Sequence, residues 1–492
     1  MVNFIKSNNV MVIGVGLHAK RIYLPILFKH EVDKSFNLKF GVDFESKKED
    51  IEQYLKSNRL ELKMIYFKDY NNTDKLSKEN RDRLSRLAKE NNITGVVIST
   101  EPLAHKDYAL WAISQGLNVL MDKPISTRKN VSHNKNEARG IYKDYKEILN
   151  AYSKLQSKKE TVFSVNVQRR YESGYLKVFD LIEEVANKFN APVTSIQAMH
   201  SDGVWIFPDE IVDQTYHPYN LGFGKGSHSS YHIFDIVWQI YKRGLVEGKK
   251  PDSAKVYSSF LNPDGLLVQF KQEDYKKFFE KEAEEKYFKR NNKELKKLYK
   301  NYGEMDIFSV IRLEQDNVNI CNISLNLLHS SFSKRSWLKP NYDLYKGNGR
   351  VKHQYYNIQQ GPFQCIQIHN FQSNDMQEKN TLADYNLGGN NHFDIYVFRN
   401  SKMFGEGEKP LKVYNLKDLD TKKTFEDDKL FHETAKELVI LEFLDYLQGL
   451  IKLTSMKSNI TSHEIPVKIM SSIYESNVEF ENGNNPIIKF EI

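Results

Sequence analysis

The first third of the chain alternates short apolar runs with longer amphipathic stretches. Residues 10–13 form a continuous apolar run that stops at Gly14, as expected of a strand buried on both faces. Similar runs lie at 38–43, 62–67, 95–99 and 117–121, and helix-like stretches separate them at 19–29, 48–56, 76–89 and 104–115. This alternation predicts a doubly wound parallel sheet covered by helices on both sides.

The first turn of this predicted sheet carries candidate chemistry. Its residues fit the pattern G-x-G-x-x-G/A and are Gly14, Gly16, Leu17, His18 and Ala19. In such a turn, the glycines let backbone amides approach a pyrophosphate, and the small last residue lets helix and strand pack closely. Asp43, at the end of the next strand, is placed to accept hydrogen bonds from ribose hydroxyls and favours NAD, whereas Lys47 and Lys48 leave NADP possible.

A second segment follows the fourth predicted strand. It contains Ser99, Thr100, Pro102 and His105, and the next strand ends in Asp122, Lys123 and Pro124. A lysine at the carboxyl edge of a parallel sheet lies where such sheets bind ligands, unless it only extends into solvent. The segment resembles the Gfo/Idh/MocA family, which carries a T-P-x-x-x-H loop and a later E-K-P. Here the proline is shifted by one position and aspartate replaces glutamate. The resemblance implies that these residues line the cofactor site.

The resemblance also implies the domain organisation. An NAD(P)-binding Rossmann domain over 1–158 would precede a large open, mostly antiparallel sheet domain with helices on one face over 159–492. Insertions are expected near 270–305, as an amphipathic helix over 275–302, and near 374–430. The family's N-x-R-R-like run fits residues 163–171 and places Arg169 and Arg170 on the first strand of the second domain, as substrate contacts or as ion pairs on a sheet. A polar alternation that could line the substrate face comprises His353, Gln359, Gln360, Gln367 and His369.

Two histidines and an aspartate follow helical spacing in the second domain. His228, His232 and Asp235 stand at i, i+4 and i+7, which places them on one face of an α-helix. By resemblance, His232 matches the catalytic histidine, His228 takes the place of an aspartate, and Asp235 is expected to contact the substrate. A metal site is the alternative for two such histidines, but the glutamate of H-E-x-x-H is missing and the family needs no metal, so none is expected.

An aromatic loop precedes this predicted helix. His217 and Tyr219 belong to it and suit a sugar, which stacks on rings and binds through its hydroxyls, or they pack in an ordinary proline-containing turn.

Composition excludes several other classes. The 492 residues carry a net charge of +7 without a clustered basic stretch, so nucleic acid is not an expected partner. No apolar run approaches the roughly 20 residues of a membrane span, and the polar residues 1–9 lack the apolar h-region that is typical of a signal peptide, so no membrane association is expected. With only two cysteines, the chain is expected to be cytoplasmic. The resemblance implies a homodimer or homotetramer formed through the C-terminal sheet.

Together these features predict an NAD(P)-dependent oxidoreductase that transfers hydride between the nicotinamide and a hydroxyl of a carbohydrate or cyclic polyol. By resemblance, His232 would take the hydroxyl proton, Lys123 would stabilise the developing charge on oxygen, and His228 would orient the substrate or help to carry the proton. Two alternatives stay open. One is a redox-assisted glycosidase or lyase that retains NAD, and the other is a cofactor-binding sensor without catalysis.

Overall fold

The structure of the chain is a computed structural model. It describes residues 8–69, 76–278, 289–333, 350–374, 391–419 and 431–492. These residues divide into two compact units. The first comprises 1–127, 141–172 and 431–467, and the second comprises 128–140, 173–430 and 468–492.

The first unit is built on a six-stranded sheet. The strands, all parallel, lie in the order β3-β2-β1-β4-β5-β6. Their bounds are β1 Asn8–Ile13, β2 Phe36–Phe44, β3 Met64–Phe67, β4 Ile93–Ile98, β5 Asn118–Met121 and β6 Phe163–Val165. The doubly wound sheet expected from the sequence is therefore confirmed, because each apolar run became a strand with its buried positions facing helices.

Helices complete the first unit. They are α1 Leu24–His30, α2 Lys48–Ser57, α3 Lys78–Glu90, α4 Pro102–Ser114 and, late in the chain, α14 Phe431–Leu447. The core beside β1 joins Val10 and Leu24 to Val439 and Phe443 of α14. Helices α5 (Lys135–Gln156) and α15 (Glu464–Glu481) each contribute residues to both units.

The second unit is built on a nine-stranded sheet in the order β14-β13-β12-β11-β7-β10-β9-β8-β15. Only the β7–β10 pair is parallel among these neighbours. The strands are β7 Ser195–Val204, β8 Ser253–Leu261, β9 Asp306–Gln315, β10 Val318–Ser330, β11 Arg350–Gln360, β12 Gln364–Asn374, β13 Asn391–Arg399, β14 Leu411–Tyr414 and β15 Ile488–Glu491. The large, mostly antiparallel sheet is therefore also confirmed.

Helices of the second unit cover one face of this sheet, called here the helix face. Tyr175 of α6 (Ser173–Phe189) contacts Tyr356 and Phe393 there, and α8 (Tyr231–Arg243) packs on β7. The remaining helices are short and are α7 Pro208–Asp213, α9 Pro263–Gln269, α10 Gln272–Phe278, α11 Asn292–Tyr299, α12 Ser401–Phe404 and α13 Leu416–Leu419.

Several expectations need correction. Residues 163–171 do not open the second sheet: Phe163–Val165 is the sixth strand of the first sheet, and Arg169 and Arg170 lie in the 3-10 turn after it. The units also differ from the contiguous ranges 1–158 and 159–492, because α14 packs into the first core.

The helix expected over 275–302 is not continuous, because residues 289–291, directly before α11, are not helical. Within 275–302, helices α10 and α11 lie on either side of residues 279–288, which are outside the described part, as are 375–390 and 420–430 of the expected loop region.

The polar alternation on β11 and β12 divides between the two faces of the sheet. Cross-strand pairing places His353, Gln359, Gln367 and His369 on the face opposite the helices. Gln360 lies on the helix face instead and donates to the carbonyls of Ile182 and Ala191. No helix in the described ranges is long and apolar enough to cross a membrane.

Candidate active site

The glycine turn of the first unit has the geometry that a dinucleotide site needs. Gly14 follows β1 with φ +87°, and a Cβ there would lie 2.6 Å from the carbonyl oxygen of Ser99. At Gly16, a Cβ would meet nothing within 4 Å. The backbone is therefore pressed against β4 at Gly14 and open at Gly16, as close approach of a pyrophosphate requires. Ala19 is fully buried and begins a π-helical turn, Ala19–Tyr23, that leads into α1.

Two side chains at the carboxyl edge of the sheet face this turn. Asp43 accepts hydrogen bonds from the amides of Val15 (2.6 Å) and Phe44 (2.7 Å), and burial raises the pKa of its carboxyl. Ser99 is buried at the end of β4, and its hydroxyl has no hydrogen-bond partner in the described part of the chain. A buried hydroxyl without a partner at a sheet edge fits a polar ligand such as NAD.

His105 joins the loop after β4 to the segment after β5. Its Nδ1 lies 2.7 Å from the carbonyl oxygen of Pro124, and its Nε2 lies 3.0 Å from that of Thr100. The ring is completely buried, and burial lowers its pKa. His105 therefore fixes the position of the loop that contains Thr100 and, through Pro124, the neighbouring Lys123. Pro102 opens α4 at its first turn.

A polar chain leads from the glycine turn to Asp122. Nε2 of His18 lies 3.8 Å from one carboxylate oxygen of Asp122, and the hydroxyl of Tyr23 lies 3.5 Å from the other. Asn166 donates to that hydroxyl at 2.6 Å. Burial lowers the pKa of His18 to about 4, so its imidazole is neutral at pH 7. Asp122 and Lys123 are both half-buried, whereas Leu17 is exposed.

The second unit places a histidine stack at the start of α8. His228 lies in a π-helical turn, Gly226–Ser230, and only Tyr231 begins the α-helix. The regular α-helical face expected for 228, 232 and 235 is therefore interrupted, because a π turn is wider than an α turn. His217 stacks on His228 with ring centroids 4.6 Å apart, and Tyr219 approaches His228 edge-on at 5.3 Å.

The other predicted residues of this region differ in accessibility. His232 is half-buried, whereas Asp235 is fully buried in α8. Arg169 is buried, and Arg170 donates to the carbonyl of Lys457 and the hydroxyl of Ser462, both at 2.7 Å. These bonds give Arg170 a structural role within the first unit. Substrate contact by Arg169, Arg170 and Asp235 stays a prediction.

A buried ionic cluster beside the histidine stack was missed from the sequence. Lys225, fully buried, donates to Asp202 at 2.5 Å and lies 2.9 Å from Nδ1 of His200. Asp202 also accepts from Ser229 (2.9 Å) and lies 3.3 Å from the guanidinium of Arg350. Burial opposes the charged form of Asp202, but the Lys225 ammonium holds the pKa of that carboxyl well below its usual range. The cluster fixes the His228 turn against β7.

Two further members extend the cluster. His329 lies 3.5 Å from Asp202 and meets Tyr219 edge-on at 5.4 Å, so it connects the cluster to the histidine stack. The amide of His329 donates to Asp306, and burial raises the pKa of Asp306 to about 6. The sequence signal for this cluster was weak, because its members are far apart along the chain. One of its members, Lys225, lies within a few residues of a predicted site residue, His228.

Glu304, also missed, holds the same turn from its other side. Its buried carboxylate accepts from the amide of Gly226 (2.7 Å), the hydroxyl of Tyr474 (2.8 Å) and the hydroxyl of Ser132 (2.6 Å). A Cβ at Gly224 would lie 2.0 Å from the Glu304 carbonyl oxygen, so that glycine is required for the close approach. Burial raises the pKa of Glu304, and its hydrogen bonds oppose this effect. The described residues contain no group of three or more side chains placed to hold a metal ion.

Comparisons with known proteins agree with the fold. The model of the oxidoreductase family with an NAD-binding Rossmann fold, GFO_IDH_MocA, matches residues 9–143. The resemblance to this family is confirmed over these residues, and the NAD-binding Rossmann fold of the matching model bears out the nicotinamide cofactor expected from the sequence, NAD with NADP possible. No curated protein sequence matches the chain.

Solved structures resemble the whole chain at low sequence identity. An oxidoreductase from Agrobacterium radiobacter in complex with NAD+, L-tartaric acid and magnesium has a TM-score of 0.55 and 13% identity, and the match covers 99% of this chain and 98% of that one. An aldose-aldose oxidoreductase from Caulobacter crescentus, complexed with glycerol, has a TM-score of 0.54 and 10% identity, and the match covers 99% of this chain and 100% of that one. The WlbA dehydrogenase from Bordetella pertussis, in complex with NADH and UDP-GlcNAcA, has a TM-score of 0.54 and 12% identity, and the match covers 99% of this chain and 98% of that one. At these identities, the similarity shows the fold.

Proposed function

We propose that the chain is an NAD(P)-dependent dehydrogenase that transfers hydride between nicotinamide and a hydroxyl group of a carbohydrate or cyclic polyol. The observation that carries this proposal is the pairing of a family-matched cofactor turn in the first unit with a polar, histidine-bearing turn in the second. The histidine stack and the aromatic edges around it suit a ligand that has both hydroxyls and apolar ring faces.

The cofactor site is assigned to the first unit. Gly14, Gly16 and Ala19 would hold the pyrophosphate at the helix start, and Asp43 would accept from a ribose hydroxyl with the lone pairs that the amides leave free. Ser99 would supply its unpaired hydroxyl. When bound, NAD+ supplies the hydride acceptor.

Proton movement is assigned to three side chains. His232, half-buried and therefore accessible, would take the proton of the substrate hydroxyl as general base. Lys123 would donate a hydrogen bond to the same oxygen and stabilise its developing charge. His228, held by its ring contacts, would orient the substrate, because it brings no fixed negative charge to the position.

The test is NADH absorbance at 340 nm during turnover, over a panel of sugars and inositols selected by thermal shift with NAD+ and NADP+. Steady NADH formation supports a dehydrogenase, whereas product without NADH accumulation supports a redox-assisted lyase or glycosidase. Lys123→Ala and His232→Ala should each lower kcat by at least about 100-fold with NAD+ affinity retained. Full activity in both variants would refute the assigned roles.

We also propose that the chain assembles as a homodimer or homotetramer in the cytoplasm. Apolar side chains support assembly through the sheet face opposite the helices, where Phe308, Phe398 and Leu411 are 41–48% exposed. Analytical ultracentrifugation measures the mass in solution. A monomer at micromolar concentration would refute the assembly.

A further inference from the structure

Two rows of polar side chains cross the helix face of the second sheet. In the first row, cross-strand pairs place His200 of β7 beside Gln354 of β11, and Gln354 beside Asn370 of β12. In the next row, Lys352 of β11 lies beside Gln372 of β12, and Gln372 beside Asn391 of β13. We call these six residues the polar band.

The polar band is separated by apolar residues from a second polar group on the helix face, formed by Gln360, Gln364 and Arg399, whose side chains are hydrogen-bonded. Farther along the same strands, this face carries buried isoleucines such as Ile358, Ile366 and Ile395. Asn370 and Asn391 are each only 2% exposed. Neither Oδ1 of Asn370 nor either amide atom of Asn391 has a hydrogen-bond partner within the described ranges. Leaving a buried polar atom unpaired costs stability, so the amide oxygen of Asn370 and the amide group of Asn391, in neighbouring strands, indicate a site for an external partner.

The polar band is continuous with the histidine turn. Its first member, His200, contacts Lys225, and Lys225 and Ser229 join the π-helical turn of His228 to Asp202. Strands in a sheet are about 4.8 Å apart, so Asn391, three strands from β7, lies about 14 Å across the sheet from His200. This span is longer than a single sugar ring.

We propose that Asn370 and Asn391 form a subsite for the hydroxyls of a second ring, so that the substrate is an oligosaccharide or glycoside rather than a free monosaccharide. The inference rests on the proposed function, because it takes the reacting ring to lie at the His228–His232 turn. A side-chain amide accepts through its oxygen and donates through its nitrogen, so each asparagine can bind two adjacent hydroxyls of a sugar. Binding would give partners to Oδ1 of Asn370 and to both amide atoms of Asn391, which have none among the described residues.

The test uses Asn370→Leu and Asn391→Leu, which keep the size of the side chain and remove the amide. Asn187→Leu, at an exposed position of α6, is the matched control. Calorimetric titration of the NAD+-loaded protein with maltose, cellobiose and D-glucose measures binding. We expect the Kd for a disaccharide to rise at least tenfold in both variants and to stay unchanged in the control. The Kd for D-glucose should change less than twofold.

Thermal unfolding separates a ligand subsite from a structural role. Because Oδ1 of Asn370 and both amide atoms of Asn391 have no partner in the described part of the chain, we expect the Tm of both variants to stay at or above that of the wild type. A lower Tm than in the control variant would overturn the inference, because the amides would then have structural partners. Unchanged disaccharide affinity, or a wild type that binds neither disaccharide, would also overturn it.

The NADH assay distinguishes the two proposals. NADH formation by the wild type with unchanged disaccharide affinity in the variants would refute the subsite alone. Disaccharide binding that depends on Asn391, without NADH formation, would refute the dehydrogenase and support the subsite.

Discussion

Removing the Asp202 carboxylate would leave the Lys225 ammonium without its counter-charge inside the second unit. Lys225 is completely buried and contacts the side chains of Asp202 and His200. Asp202→Asn keeps the shape of the side chain but removes the charge. Lys225 must then either keep a buried charge that has lost its direct partner, with the Asp306 carboxylate still attracting it, or lose its proton. The alternative that costs less free energy sets the loss of stability.

The cost of losing the proton has a calculable ceiling. An unfolded lysine has a pKa of about 10.4, so holding it neutral at pH 7 costs about 3.4 pKa units at about 1.36 kcal/mol each, or about 4.6 kcal/mol. Breaking a buried ion pair costs about 3–5 kcal/mol. Lys225→Met should cost less, about 1–3 kcal/mol, because Asp202 keeps its contacts with Ser229 and Arg350.

The pH dependence identifies the cause. In Asp202→Asn, the folded pKa of Lys225 lies below its unfolded value, so the unfolded chain binds more protons and stability recovers as pH rises toward 10.4. The upper limit on the loss of unfolding free energy in Asp202→Asn should fall to about 1.2 kcal/mol at pH 9.5. Urea unfolding followed by tryptophan fluorescence at pH 7 and pH 9.5 measures this loss relative to the wild type.

Two results would refute this reasoning. One is a loss in Asp202→Asn that is equal at both pH values, which would mean that the lysine is not forced to give up a proton. The other is a larger loss in Lys225→Met than in Asp202→Asn at pH 7. Lys225→Met itself should show no recovery at alkaline pH, since it has no ammonium.

Three further outcomes follow from the geometry. Gly14→Ala should weaken NAD+ binding at least tenfold in calorimetry, because its φ is +87° and its Cβ would lie 2.6 Å from the Ser99 carbonyl; wild-type affinity would contradict this. Burial raises the pKa of Asp306 to about 6, above its unfolded value, so the contribution of Asp306 to stability should increase as pH falls from about 7 to 5, and the difference in unfolding free energy between the wild type and Asp306→Asn in urea should shift in favour of the wild type over that range. Glu304→Leu should cost about 3 kcal/mol in urea unfolding, since it leaves the Gly226 amide and two hydroxyls without their acceptor, whereas Glu304→Gln should cost under about 1 kcal/mol; equal losses would contradict the hydrogen-bonding role.

The first unit could be predicted largely from the sequence. Each parallel strand is a continuous apolar run, and each crossover helix is amphipathic, so local patterns were sufficient. The sixth strand was misplaced because Phe163–Val165 is only three residues long and carries no pattern of its own. Its place is set by pairing with β5.

The ionic cluster of the second unit could not be predicted in the same way. His200, Lys225 and His329 meet because β7 and β10 are parallel neighbours and the π turn packs against them. A period of two along a strand shows which residues share a face, but not which strands adjoin. Glu304 lies just before β9, and nothing local indicates that its carboxylate accepts from a turn near residue 226.

Helix α14 belongs to the core of the first unit but is synthesised long after the strands of that unit. Its Val439 and Phe443 complete the core around Val10 and Leu24, although the sixth strand of that sheet ends at Val165. At about 5–20 residues per second, a ribosome needs roughly 13–50 s to pass from Val165 to Phe431. During that interval, the apolar residues of the first unit that α14 later covers are exposed to water. A fragment that stops before α14 is therefore expected to expose this apolar surface and to be prone to aggregation.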